Sequence, residues 1–110
     1  MKKFKDAFNG LKIAFGHKAV IVQIIMAVMT VIGGIIIKLD TYEWLSFVIC
    51  ISMVIMAEIF NTSVERIGDY LNIKDDKRIK DIKDLSSSAV LVAAMGSLIV
   101  CVLCLIRRIL

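Results

Sequence analysis

Residues 19–37 read AVIVQIIMAVMTVIGGIII, nineteen positions without a single Asp, Glu, Lys or Arg. A helix needs about 20 such positions to cross a hydrocarbon core. Residues 85–106 form a second run free of charge, and residues 44–57 a third, which reaches spanning length only if it continues through Glu58 to about Val64. The composition follows from these blocks: of 110 residues, 59% are apolar and none is proline, yet 22% are charged, with a mean hydropathy of +0.86. The charge must lie between the blocks. This predicts an all-α integral membrane protein, a single domain over residues 1–110 with transmembrane helices at 19–37, 44–64 and 85–106. It excludes a secreted disulfide scaffold, a disordered tail, a nucleic-acid-binding domain and a soluble enzyme with a large globular core.

The first eighteen residues read differently. Phe4, Ala7, Phe8, Leu11 and Phe15 recur at spacings of three and four, with Lys2, Lys5, Asp6, Asn9 and Lys12 on the other faces, which predicts a basic amphipathic surface helix over 1–18. It serves as an anchor and topology signal, or as a lid over a site at that surface. The first apolar run starts too late and runs too long for a signal peptide, and it ends at Lys38-Leu39-Asp40 without a small-residue cleavage site. Cys50, Cys101 and Cys104 all fall within apolar runs and are expected to be small buried hydrophobes. The Cys101-x-x-Cys104 spacing lacks the charged or His neighbours that redox or zinc sites use.

Orientation follows from the basic residues. Lys2, Lys3, Lys5, Lys12 and Lys18 precede the first run, and Arg66, Lys74, Lys77, Arg78, Lys80 and Lys83 surround the second connection, whereas the first connection carries Lys38 alone. The positive-inside rule then places the N-terminus and second connection in the cytoplasm. Arg107 and Arg108 fall on the outside and dissent. Gly33-Gly34 permits close packing or a bend near the external turn, and Trp44 stands where an interfacial aromatic belongs.

Glu58, Asn61, Glu65 and Asp69 follow at steps of three, four and four, so they share a sector of about 80° on one helix, bordered by Thr62. An acid in the middle of a bilayer costs roughly 2.5–3.5 kcal/mol on insertion scales, less near the interface. Glu58 must therefore face protein or a watery cavity. Burial favours the neutral form of a carboxyl group, the condition for exchanging a proton near neutrality. Glu65 and Asp69, nearer the cytosol, suit a hard cation such as Mg²⁺. The bland alternative is a polar stripe that glues helices together.

The third run opens with Lys83, Asp84, Ser86, Ser87 and Ser88, from which Lys83 can reach back to the carboxylates. Farther in, Ala89, Ala93 and Ser97, with Ala94 and Gly96 beside them, allow helices to approach closely. Three spans cannot alone enclose a polar site on all sides, so a homo-oligomer is expected. No phosphate-binding glycine loop of the G-x-x-x-x-G-K-[ST] type is present.

Glu58-Ile59-Phe60-Asn61-Thr62-Ser63-Val64-Glu65, then Asp69, Lys83-Asp84 and Ser88-Ala89-Val90-Leu91, resembles the signature of the prokaryotic diacylglycerol kinase family, which includes the undecaprenol kinases. The pattern E-x-x-N-[ST]-[SA]-[IV]-E-x-x-x-D with a downstream K-D is long and specific, and the layout extends the likeness over nearly the whole chain. The resemblance implies a homotrimer with sites between subunits, transferring the γ-phosphoryl of ATP, with Mg²⁺, to a lipid alcohol in a bacterial plasma membrane from the cytoplasmic side. It implies Glu58 as catalytic base, Glu65 as the Mg²⁺ ligand, Asn61 as a polar group orienting the site and Ser87 beside the lipid headgroup. Lys83 and Asp84 become nucleotide contacts, as does the stretch Lys74, Asp75 and Asp76, which lacks the family's His pair or Tyr-His. Phe60-Asn61-Thr62 and Glu43-Trp44 resemble the branch that phosphorylates undecaprenol to undecaprenyl phosphate. The alternatives are a diacylglycerol kinase producing phosphatidic acid, or a weakly active or regulatory member.

One position departs from the family. Its second Mg²⁺-binding glutamate, between the surface helix and the first span, aligns with His17 or Lys18. Imidazole is a poor partner for Mg²⁺ and an ammonium repels it.

Overall fold

The computed structural model describes residues 2–71 and 76–110. Its elements are four helices, α1 (Lys2–Ala14), α2 (Lys18–Ile37), α3 (Thr41–Leu71) and α4 (Lys77–Ile109), and no strand occurs among the described residues. The three apolar runs lie within α2, α3 and α4, each long and apolar enough to cross a membrane. Both α3 and α4 extend well past the apolar runs at the charged end. At 1.5 Å per residue the 31 residues of α3 span about 46 Å, beyond a hydrocarbon core of roughly 30 Å. The helices pack chiefly as an α3–α4 pair, with α2 against α3.

The molecule has almost no interior. Among the described residues only Ala14, Val20 and Leu39 are buried apolar side chains. The chain exposes 8741 Å², where a compact soluble protein of 12.3 kDa would expose roughly 6,100 Å². That excess apolar surface belongs against lipid or other protein. Between α2, α3 and α4 lies an open cavity of about 290 Å³, lined among others by Gln23, Thr30, Cys50, Ser97 and Cys101. The cysteines correct one expectation: all three are free, but Cys50 and Cys104 are half-buried and Cys101 is exposed. Among the described residues α4 has no buried side chain.

The tip joining α2 to α3 is tightly built. Lys38 ends α2 in the left-handed region, φ 59° and ψ 63°, a conformation that usually selects glycine, while the Leu39 N–H donates to the Gly34 carbonyl at 3.1 Å. Gly34 is required here, since a Cβ would stand 2.7 Å from Leu39 Cδ1 and 2.8 Å from Trp44 Cη2. Gly33 has no such neighbour. Asp40 and Glu43 then form a reciprocal N-terminal cap of α3: the Glu43 N–H donates to Asp40 Oδ1 at 2.9 Å and the Asp40 N–H to Glu43 Oε1 at 3.1 Å.

The end of α4 closes onto this tip. Arg108 grips Glu43 with two prongs, Nε to Oε2 at 3.0 Å and Nη2 to Oε1 at 2.7 Å, and donates to the carbonyls of Ile37 and Lys38. Arg107 pairs with Asp40 at 3.1 Å. The two arginines that dissent from the charge rule are thus neutralised by the two acids of the α2–α3 connection, and Arg108 caps the last carbonyls of α2 as it does so.

Candidate functional site

The polar stripe forms where α3 and α4 run side by side toward the charged end. Glu58 is 7% exposed and Asn61 8%, whereas Glu65 and Asp69, one and two turns on, are exposed. Exposure therefore rises along the stripe from Glu58 and Asn61 to Glu65 and Asp69. The Glu58 carboxylate makes no hydrogen bond among the described residues, and no buried side-chain polar atom there lacks a partner, so its oxygens keep a window of accessible surface. Thr62 is occupied locally, donating to the Glu58 carbonyl at 2.9 Å, and contributes nothing to the stripe.

Two contacts cross from α4. The Ser87 hydroxyl donates to Asn61 Oδ1 at 3.4 Å, a long bond that still orients the amide, leaving its Nδ2 hydrogens as donors. One turn earlier Lys83 Nζ stands 2.6 Å from Asp69 Oδ1. The pair is largely solvated, with Asp69 at 72% exposure, so it adds little stability; its consequence is the placement of the ammonium. The lysine stem reaches Asp69 by crossing Gly68.

The remaining candidates fall elsewhere. Asp84 turns away from the seam to Lys80, 2.7 Å distant, and lies beside rather than within the stripe. Asp76 caps α4, accepting from the Arg78 N–H at 2.9 Å and from its guanidinium; the guanidinium, and after it the N–H, hold its carboxyl below the ordinary carboxylate range. Lys74 and Asp75 lie outside the described residues. His17 occupies the N-cap position of α2 in extended conformation without a side-chain capping bond, and is half-buried while Lys18 is exposed. The structure thus brings Asn61 to Ser87 and Asp69 to Lys83, on the same stripe as Glu58 and Glu65.

As a donor set for a divalent cation this is sparse. Among the described residues no three His, Cys, Asp or Glu side chains cluster, and Asp69 is engaged by Lys83. Glu65 remains as an exposed carboxylate with no ion pair among the described residues, and one or two carboxylates with phosphate oxygens and water suffice for Mg²⁺. Among the described residues the donor set fits a cation that arrives with a phosphate ligand better than a protein-only metal centre.

The fold and site together define a class: a three-span helical membrane protein carrying a buried carboxylate and a lysine-bearing acidic stripe at one end of its longest helix pair. The model of the prokaryotic diacylglycerol kinase family matches residues 5–105, and the chain belongs to that family of membrane lipid kinases. No curated protein and no solved structure matches it. Sequence reading missed the Arg107–Arg108 clasp and Gly68. It also missed the Asp40-Thr41-Tyr42-Glu43 capping box, which its D-x-x-E spacing could have signalled, whereas the other two depend on tertiary approach.

Proposed function

We propose that this chain is an ATP-dependent lipid kinase that phosphorylates undecaprenol to undecaprenyl phosphate, working as a homotrimer with its site at the cytoplasmic face of a bacterial plasma membrane. The observation that carries the reading is Glu58: a buried carboxylate without a partner among the described residues, beside an oriented amide and below a lysine. Glu58 takes the proton of the lipid hydroxyl as that oxygen attacks the γ-phosphorus of ATP. The new O–P bond forms as the bridging bond to the β-phosphate breaks, and ADP leaves with its electron pair. Asn61 donates to an oxygen of the reacting groups, and Lys83 neutralises phosphate charge. Ser87 holds Asn61 and borders the headgroup, while Lys74, Asp75, Asp76 and Asp84 lie along the nucleotide's path.

Mg²⁺, held by Glu65 together with phosphate oxygens, would supply charge neutralisation to the transferring group. Phosphoryl transfer asks for positioning, charge neutralisation and a base, and little further covalent chemistry. The open stripe and the unfilled flank of α4 support an oligomer in which a neighbouring subunit completes the site. Phe60, exposed next to Asn61, supports an isoprenoid acceptor, and diacylglycerol is the competing substrate.

The test is a side-by-side assay of purified protein with ATP, Mg²⁺ and each lipid alcohol. Undecaprenol should turn over faster, and Glu58→Gln should abolish transfer while preserving the assembled protein, since losing a general base typically costs 10²–10⁴-fold. Retention of more than about a tenth of the wild-type rate by Glu58→Gln would remove the base from this mechanism. Turnover of neither lipid would leave a regulatory membrane protein.

A further inference from the structure

The stem of Lys83 lies where the side chain of residue 68 would be. A Cβ on Gly68 would stand 2.6 Å from Lys83 Cε and 3.7 Å from its Cδ, with Ile79 Cγ2 at an ordinary 3.5 Å. Real side chains do not approach to 2.6 Å, so either the lysine or residue 68 has to give way. What would move is the far end of a flexible side chain, not the backbone of α4. The contrast with Gly34 is instructive, because there the obstacles include the rigid ring of Trp44.

We propose that Gly68 is a positioning residue of the phosphoryl-transfer site: its missing side chain is the channel through which Lys83 crosses α3, and it sets where the ammonium stands. The inference rests on the reading of Lys83 as a phosphate contact. Gly68 directly precedes Asp69, whose carboxylate anchors the ammonium at 2.6 Å, and follows Glu65 by three residues on the same helix. Asp69 and a nucleotide phosphate compete for one positive charge. With the stem laid across Gly68, the ammonium stays on the acidic stripe; any side chain at 68 lifts the stem away and swings the charge off it. The α3–α4 packing is not what pays, since alanine is the better helix former and only the lysine must move. Gly68→Ala should therefore impair function without lowering stability, which is the signature that separates positioning from packing.

The experiment measures kcat, the KM for ATP, the KM for lipid and the thermal midpoint of the full-length protein in lipid nanodiscs. The variants are Gly68→Ala, Gly68→Ser, Lys83→Met and Gly68→Ala combined with Lys83→Met. Expected is a KM for ATP raised about tenfold by Gly68→Ala, the size of losing a charge-assisted contact, with the lipid KM and midpoint held. Gly68→Ser should follow, and the double variant should be no worse than Lys83→Met alone. If Lys83→Met raises the ATP KM and neither Gly68 variant does, the positioning role is overturned while the nucleotide reading stands. Unchanged ATP KM in Lys83→Met defeats that reading, and the inference with it. A lowered midpoint with additive losses in the double variant would make Gly68 a packing residue and overturn the proposal.

Discussion

A buried acid, an exposed acid and an acid engaged by a lysine occupy one face of one helix, and their surroundings give them different work. Glu58 lies in the seam without a partner among the described residues, Glu65 stands exposed, and Asp69 holds Lys83 at 2.6 Å. That last pairing narrows the question of the absent family carboxylate at His17 or Lys18. With Asp69 committed, Glu65 is left as the unengaged acid of the stripe below Glu58, so in the proposed kinase the Mg²⁺ requirement should be weak in affinity and half-saturate at high concentration. Restoring a carboxylate by His17→Glu or Lys18→Glu should lower the half-saturating Mg²⁺ at whichever position faces the site. The fold tolerates the first well, because an anion at the start of α2 suits the helix dipole. A titration of ATP turnover against Mg²⁺ reads this directly. If neither substitution shifts the curve of an active enzyme, the ligand comes from elsewhere and α1 does not lie over the site.

At the scale of the elements, the tip between α2 and α3 separates two neighbouring glycines by their surroundings. Gly34→Ala drives a Cβ into Leu39 and Trp44 and should cost about 1–3 kcal/mol, as overpacking does. Gly33→Ala meets nothing and should stabilise by up to roughly 1 kcal/mol through helix propensity; thermal unfolding in detergent distinguishes the two. The clasp makes a second prediction. Glu43→Ala strips Arg108 of its carboxylate and α3 of half its cap, so the midpoint should fall by several degrees. Arg108→Lys keeps the charge, loses the fork and should fall less, and in the proposed kinase activity per folded molecule should hold because the Glu58–Asp69 stripe lies toward the other end of α3. These contacts explain what could be read in advance. The period of 3.6 revealed the stripe from Glu58 to Asp69, and runs without charge located three helices. Apolarity marks hydrocarbon, though, and not helix ends, so α3 running to Leu71 and α4 beginning at Lys77 were hidden by good helix-forming polar residues with i,i+4 pairs such as Lys77–Asp81. The clasp and the Lys83 crossing join residues tens of positions or a whole turn-and-connection apart, which no periodicity reports.

For the molecule as a whole, surface and charge point the same way. Exposed area of 8741 Å² against roughly 6,100 Å² for a soluble protein of this mass requires an apolar solvent or partners around α2, α3 and α4. The sidedness comes from the basic residues: eleven at the end bearing the N-terminus and the second connection, against Lys38, Arg107 and Arg108 at the other. Two of those three are paired, Arg107 with Asp40 and Arg108 with Glu43. Three basic residues against eleven do not reverse the bias that sets orientation, and the folded tip gives the two dissenting arginines acidic partners. The N-terminus should therefore lie in the cytoplasm and the C-terminus outside, with the Glu58–Asp69 stripe opening toward cytoplasmic ATP. In a background lacking Cys50, Cys101 and Cys104, a membrane-impermeant thiol reagent applied from outside should label a cysteine at Thr41, beside the clasp, and spare one at Lys77 until the membrane is opened. Labelling at Lys77 in sealed cells would reverse the chain in the bilayer, put Lys83 and Glu65 on the side without ATP, and leave the stripe as packing between helices.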